Sequence, residues 1–229
     1  MSETTKNIVV FLDIDGVLNC NKFHADWIQK HAKLHENPFD CEKEAIALEK
    51  QFDSLFTNVT GSPFLDGYIA PPNLGKWNTL IGILTTTFQN VKVVLSSDWR
   101  YIQDGTYSNV APIGVIKELF KVRGINGHVI DATPHVNPPD RGKEIALYIN
   151  EYMHMHRHKY DFTHFLVLDD LDVFDSINEN QEAGLNCSVF HCLINSEYGL
   201  NADAVGCIFR YFGIMGDIKD EKDSRQSCN

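Results

Sequence analysis

Positive charge is what this chain lacks most: 20 Lys and Arg stand against 31 Asp and Glu over 229 residues, a net charge of −11. Tight binding to a duplex phosphate backbone demands clustered basic side chains. No duplex nucleic acid binding is therefore expected, while a nucleotide or a phosphoprotein held at one local site stays open. No apolar run reaches ~18 residues, so no transmembrane span is expected. The opening stretch Met1–Asn7 lacks the basic-then-apolar pattern of an export signal, and a cytoplasmic location is expected. The six cysteines (Cys20, Cys41, Cys187, Cys192, Cys207 and Cys228) form no CxxC pair and no compact framework, which argues for reduced structural thiols. A thiolate nucleophile in a loop of Cys, five residues, then Arg is excluded. The positions at that offset hold Asp26, Ala47, Leu193, Tyr198 and Gly213, and Cys228 lies too near the end.

What is present is a chain 43% hydrophobic, long enough for one substantial core with an insertion. The run Ile8-Val9-Val10-Phe11-Leu12 reads as a strand buried on both faces, as at the centre of a parallel sheet. It ends in Asp13-Ile14-Asp15-Gly16. Two carboxylates at the end of a buried strand are costly without partners. Helical spacing of apolar residues follows over 23–35 and 41–56, separated by Asn37-Pro38. Asn73 is the expected cap of a helix through Trp77, Leu80, Ile81, Leu84 and Phe88. A second buried strand, Val91–Leu95, ends in Ser96-Ser97-Asp98-Trp99-Arg100. A helix over 113–122 and a short strand over 128–131 come next, and then Asp140 is placed to cap a helix through Ile145, Leu147, Ile149 and Tyr152. Phe165–Leu168 is a strand ending in Asp169-Asp170, and a last strand over 188–192 precedes a helix through Ala202, Val205, Ile208 and Phe212.

Strands alternating with helices predict an α/β fold, a Rossmann-like parallel sheet flanked by helices with right-handed crossovers. The carboxyl ends of all strands share one edge of such a sheet, where open α/β folds bind ligands. Acids and hydroxyls distant in sequence thus converge there. A pocket rich in carboxylates suits Mg²⁺, which takes a few of them and keeps water or phosphate oxygens as its other ligands. With a phosphate's charge offset, a carboxylate is able to act as nucleophile on phosphorus while a neighbouring acid handles the leaving group's proton.

Asp13-Ile14-Asp15-Gly16 after a buried strand resembles the first motif of the haloacid dehalogenase-like (HAD) phosphatase superfamily, and the later motifs follow in the expected order. The resemblance implies that Asp13 is the nucleophile and a metal ligand. Asp15 is the general acid/base, with its backbone carbonyl on the metal. Ser96, with Ser97 beside it, matches the phosphate-binding position. The family's basic residue falls on Arg141, with Lys143 close enough to compete. Asp170 becomes the preferred metal ligand, Asp169 an alternate or supporting one, and Asp175 lies at the spacing of a supporting acid. The cofactor implied is Mg²⁺. Members that dehalogenate lack the second acid and transport ATPases carry Thr there, so Asp15 points to phosphomonoester hydrolysis or, less often, phosphoryl transfer.

The same resemblance divides the chain into a catalytic core (1–19 and 73–216), a mainly helical cap insertion after the first strand (20–72) and a flexible tail (217–229). Phe23, Trp27, Phe39, Phe52, Phe56, Phe64 and Tyr68 of the insertion would give an aromatic wall for a flat leaving group. Ser97-Asp98-Trp99-Arg100 resembles a subgroup that includes repair-associated phosphatases and, more loosely, bacterial effector phosphatases acting on phosphotyrosine. A phosphotyrosine protein is the first expected substrate, and an effector of that kind would be exported to a host cell. A nucleotide or polynucleotide end is the alternative, and a silent phospho-ligand binding module is the rival of another class. That rival is expected to have lost an acid from the first motif, and both acids are present. Against each assignment stands a bland alternative: solvated acids for Asp13 and Asp15, a turn serine for Ser96, a helix's solvent face for Arg141 and Lys143. A basic residue at a helix start opposes the helix dipole, which favours a functional reason for one of the two. His154, His156 and His158 have no accompanying ligand signature and are expected to be exposed helix residues, not a zinc site.

Overall fold

The computed structural model describes residues 6–23, 25–26, 69–97, 117, 120–121, 123–156, 159 and 162–214. The expected helix over 41–56, most of those over 23–35 and 113–122, His158, the motif residues Asp98, Trp99 and Arg100, and the tail lie outside them.

The apolar run after Lys6 forms β1 (Lys6–Leu12), buried from its second residue to its last. Strands β2 (Asn90–Leu95), β3 (Val129–Ala132), β4 (Phe162–Asp169) and β5 (Cys187–Leu193) join it in a five-stranded sheet of order β3-β2-β1-β4-β5. Every pairing is parallel, and β1 is hydrogen-bonded to β2 on one side and β4 on the other. Helices α1 (Pro71–Thr87), α2 (Arg141–His156), α3 (Phe174–Asn180) and α4 (Ala202–Tyr211) flank the sheet, completing the expected α/β arrangement.

The two-residue period of a strand sends alternate side chains to opposite faces, and β1 divides the core accordingly. Ile8, Val10 and Leu12 pack with Trp77, Leu80 and Leu84 of α1 and Val205 and Ile208 of α4. Val9 and Phe11 pack with Ile145, Ile149 and Tyr152 of α2 and Ile177 of α3. No helix among the described residues is long and apolar enough to cross a membrane.

One boundary differs from the expectation. Helix α1 begins at Pro71, with two prolines in its first turn and no side-chain cap from Ala70. Proline suits that turn because its missing N–H would have no intrahelical partner there. Asn73 is thus inside the helix, 3% exposed, with its amide donating to the carbonyls of Val17 (3.1 Å) and Tyr198 (3.0 Å). Asn73 is a tertiary clamp and not a cap. Just before α1, the N–H of Ala70 donates to Leu18 O at 3.0 Å. Asp140 does cap α2, accepting from the N–H of Lys143 at 2.9 Å. Among the described residues, Cys20, Cys187, Cys192 and Cys207 are not joined in disulfides.

Candidate active site

Strand numbering runs outward from β1 to β3 on one side and then resumes at β4 on the other. Ligands in open α/β sheets bind outside the carboxyl ends at such a reversal. Here the reversal falls between β1 and β4, and the two strands deliver Asp13 and Asp169 to it. The ladder holds both in place: Asp13 N–H donates to Leu168 O (3.0 Å) and Ile194 N–H to Asp169 O (2.8 Å).

Carboxylate oxygens of Asp13, Asp169 and Asp170 all lie within 4.8 Å of one another, the cluster among the described residues with the spacing of a metal site. Asp13 is 4% exposed and Asp169 fully buried. Arg141, the first residue of α2, sets its Nη1 3.4 Å from Asp13 Oδ2 and 3.2 Å from Asp169 Oδ2. The remaining oxygens are fixed by backbone: Ile14 N–H donates to Asp13 Oδ1 (2.8 Å) and Leu171 N–H to Asp169 Oδ1 (3.0 Å). One guanidinium cannot balance this many acids. Burial, then the neighbouring Asp169, pushes Asp13 up to about 7, against the pull of Arg141 and a hydrogen bond from Ser97. Asp169 is pushed up to about 6, again chiefly by burial, with Arg141 opposing. Asp170, half-buried, is also raised by burial first, with Asp15 among the charges that add to it.

The residues present fit a divalent cation. Three carboxylates converge on one point with a deficit of positive charge, and a cation there would favour their ionised forms. Gly16 leaves the room: its φ is +73°, and a Cβ added there would fall on the Asp170 carboxylate. Only glycine takes that conformation without a steric penalty while allowing so close an approach.

Asp15 stands exposed at the rim, near enough to raise both Asp13 and Asp170 electrostatically. Asn19 steadies it, donating its amide to Asp15 Oδ1 at 2.7 Å while its own oxygen accepts Gly16 N–H at 2.7 Å. Ser96 follows β2, fully buried, and its Oγ has no hydrogen-bond partner. A hydroxyl left so at the ligand edge is a donor in waiting, since buried polar atoms are nearly always paired. Ser97 is also buried and bonds Asp13.

Of the two competing basic residues, the structure turns Arg141 into the acid cluster and leaves Lys143 exposed. Lys143 contributes its backbone N–H to Asp140, whose carboxyl is held below its ordinary range by that bond and by the Ser176 hydroxyl. Asp175 lies exposed in the first turn of α3. His154 is exposed and pairs with Glu182 at 2.7 Å.

The sequence assigns no site role to Asn19, Asn73 or Ser176, and marks Gly142 only as the neighbour that identifies Arg141. A Cβ on Gly142 would meet Ser176 and Val173, so this glycine lets α2 approach α3 and bring Arg141 over the cluster. Asn19 has a local signal, four residues after Asp15, and Gly142 one beside Arg141; Asn73 and Ser176 act through partners far along the chain.

Among curated proteins no sequence matches this one. One solved structure, of a protein with unknown function from Bordetella pertussis Tohama I, aligns at 8% identity over 92% of this chain and 96% of that one. Its TM-score of 0.31 is too low for the likeness to carry an argument. The family model described as HAD domain in Swiss Army Knife RNA repair proteins matches residues 9–205, from the middle of β1 into α4. That span contains every acid, hydroxyl and base described above, and it supports a hydrolase of the phosphatase type. The chain belongs to the HAD-like superfamily, in the family of HAD domains of Swiss Army Knife RNA repair proteins.

Proposed function

We propose that this protein is a Mg²⁺-dependent phosphatase that removes a terminal phosphate from polynucleotide ends through an aspartyl-phosphate on Asp13. The observation that carries the chemistry is the buried cluster of Asp13, Asp169 and Asp170, bridged by Arg141 and bordered by Asp15 and Ser96. The family's link to RNA repair supports a polynucleotide end over phosphotyrosine, the substrate that sequence alone put first.

HAD phosphatases generally use Mg²⁺, and Asp13, Asp169, Asp170 and the carbonyl of Asp15 would hold it. Once bound, the ion would draw charge from the phosphoryl oxygens and offset the acids around them. Asp13, oriented by Ile14 N–H, attacks phosphorus and the ester oxygen leaves. Asp15 gives that oxygen its proton, then takes one from the water that opens the Asp13–phosphate bond. Asn19 orients the Asp15 carboxyl by donating to its Oδ1. Ser96 donates to a non-bridging oxygen, and Arg141 stabilises the charge carried through the transition state. Asp169 holds Arg141 in place from the other side.

The test is a substrate panel with and without chelator: oligonucleotides phosphorylated at either end, phosphotyrosine and phosphoserine peptides, sugar phosphates, free nucleotides and 4-nitrophenyl phosphate. Chelator-sensitive release of phosphate, with the oligonucleotides highest in kcat/KM, is expected. Preference for phosphotyrosine peptides would restore that substrate, and turnover unaffected by chelator would remove the cation from the mechanism.

A further inference from the structure

An exposed tyrosine is held rigidly at the same edge of the sheet. The turn over 195–200 follows β5 and is stitched to the segment after the first acidic motif. Leu200 N–H donates to Val17 O (2.8 Å), Asn21 N–H to Ser196 O (3.0 Å) and Lys22 N–H to Glu197 O (3.1 Å). Buried Asn73 ties the two together by donating to both Val17 O and Tyr198 O. Gly199, at φ +64°, fits so closely against Asn73 that a Cβ there would collide with it. All this backbone order presents one ring to solvent: Tyr198 is 52% exposed, and the Lys22 ammonium sits 5.6 Å from its centroid.

We propose that Tyr198 and Lys22 form a docking platform for a single-stranded nucleic acid end, the ring stacking on a base and the ammonium meeting the adjoining backbone phosphate. This rests on the reading of the protein as a polynucleotide-end phosphatase. An aromatic face beside a cation is the combination by which proteins hold unpaired strands without reading sequence. The backbone that carries the ring is fixed beforehand, so less conformational freedom is lost on binding. Val17, bonded to the turn, lies two residues beyond Asp15, which ties the platform to the segment that follows the first acidic motif. Glu197 is exposed next to Tyr198 and carries the opposite charge to Lys22. Stacking is therefore the larger part of the attraction, as befits a chain of net charge −11.

The experiment compares kcat/KM for an end-phosphorylated oligonucleotide with that for 4-nitrophenyl phosphate in Tyr198→Ala, Tyr198→Phe and Lys22→Ala. Fluorescence anisotropy of the unphosphorylated oligonucleotide is measured alongside, in each variant and in Asp13→Asn. Losing one stacking partner weakens binding about 5- to 150-fold. Tyr198→Ala is expected to lower the oligonucleotide-to-aryl ratio by a factor in that range, with Tyr198→Phe restoring it. Lys22→Ala is expected to reduce the slope of log K against log salt by ~0.7, the value for one phosphate contact on a single strand. An unchanged ratio in Tyr198→Ala with equal anisotropy would overturn the platform and leave the phosphatase intact. A Tyr198-dependent preference for phosphotyrosine peptides over oligonucleotides would overturn it in favour of a peptide partner. If no phosphate is released from any substrate, the catalytic reading falls, and Tyr198-dependent anisotropy would still support the platform while its absence would overturn it.

Discussion

The two ends of the same five strands are built on opposite terms. At the amino edge, Lys6, Phe88, Phe162, His164, Ser188 and Phe212 line a cavity of about 330 Å³. His164 stands edge-on to three phenylalanines, with centroids 5.4 Å from Phe88, 4.9 Å from Phe162 and 5.6 Å from Phe212. Its Nδ1 lies 2.8 Å from Ser188 Oγ, and burial, then Lys6, keeps the imidazole neutral by lowering its pKa. At the carboxyl edge, acids are buried against one another with, among the described residues, the Arg141 guanidinium between them. One edge sets a neutral imidazole against a hydroxyl and aromatic rings, and the other packs like charges together. A fold tolerates such a concentration of like charge only where something arriving from solution relieves it.

The largest expected effect comes from neutralising the nucleophile. Asp13→Asn should lower turnover on the order of 10⁴-fold or more, while the ion-free protein melts no lower than the parent because a buried like-charge contact is gone. A variant that melts lower would show that no like-charge repulsion sets the carboxyl edge apart from the amino edge. Next, Arg141→Met removes the cation between two buried carboxylates and should cost ~3–5 kcal/mol, read by urea denaturation without Mg²⁺. A cost within experimental scatter would mean that Arg141 does not carry this charge balance.

Third is a dependence on pH. A carboxyl raised from 3.8 to about 7 binds more protons folded than unfolded, so its favourable contribution is present below the unfolded value and lost as pH rises through the folded one. The ion-free protein should lose stability between about pH 4 and about pH 7, and the rise in Tm on adding Mg²⁺ should grow across the same window. A Tm gain independent of pH would place the ion elsewhere. The smallest effect belongs to the amino edge: His164→Ala should cost ~1–3 kcal/mol and leave kcat/KM alone. A change in turnover would couple two edges that the architecture keeps apart.

Much of this was legible in the residues. β1, β2 and β4 appear as apolar runs because both faces of a central parallel strand are buried, and Asp140 announces α2 because capping is local chemistry. The order of acids and hydroxyls after those strands is enough to bring Asp13, Ser96 and Asp169 to one edge, and the family resemblance adds Arg141. The start of α1 was misread since Asn73 resembles a cap until its partners, Val17 and Tyr198, are known. Arg141 and Lys143 could not be separated by spacing. The choice depends on the rotation of α2 against α3, set by Gly142 meeting Ser176. The asparagines and glycines that brace the site carry no periodicity, and their roles appear only with the tertiary contacts.

One hydrogen bond near the first motif bears on the length of chain carried at this edge. Because Ala70 N–H is joined to Leu18 O, the chain departs and re-enters at neighbouring points. Doubling the length between two such fixed points costs only ~0.6 kcal/mol in closure entropy. Between Lys22, which stays bonded to the turn after β5, and Ala70, a change in chain length therefore costs little in closure entropy, while Asn19 keeps its hold on Asp15.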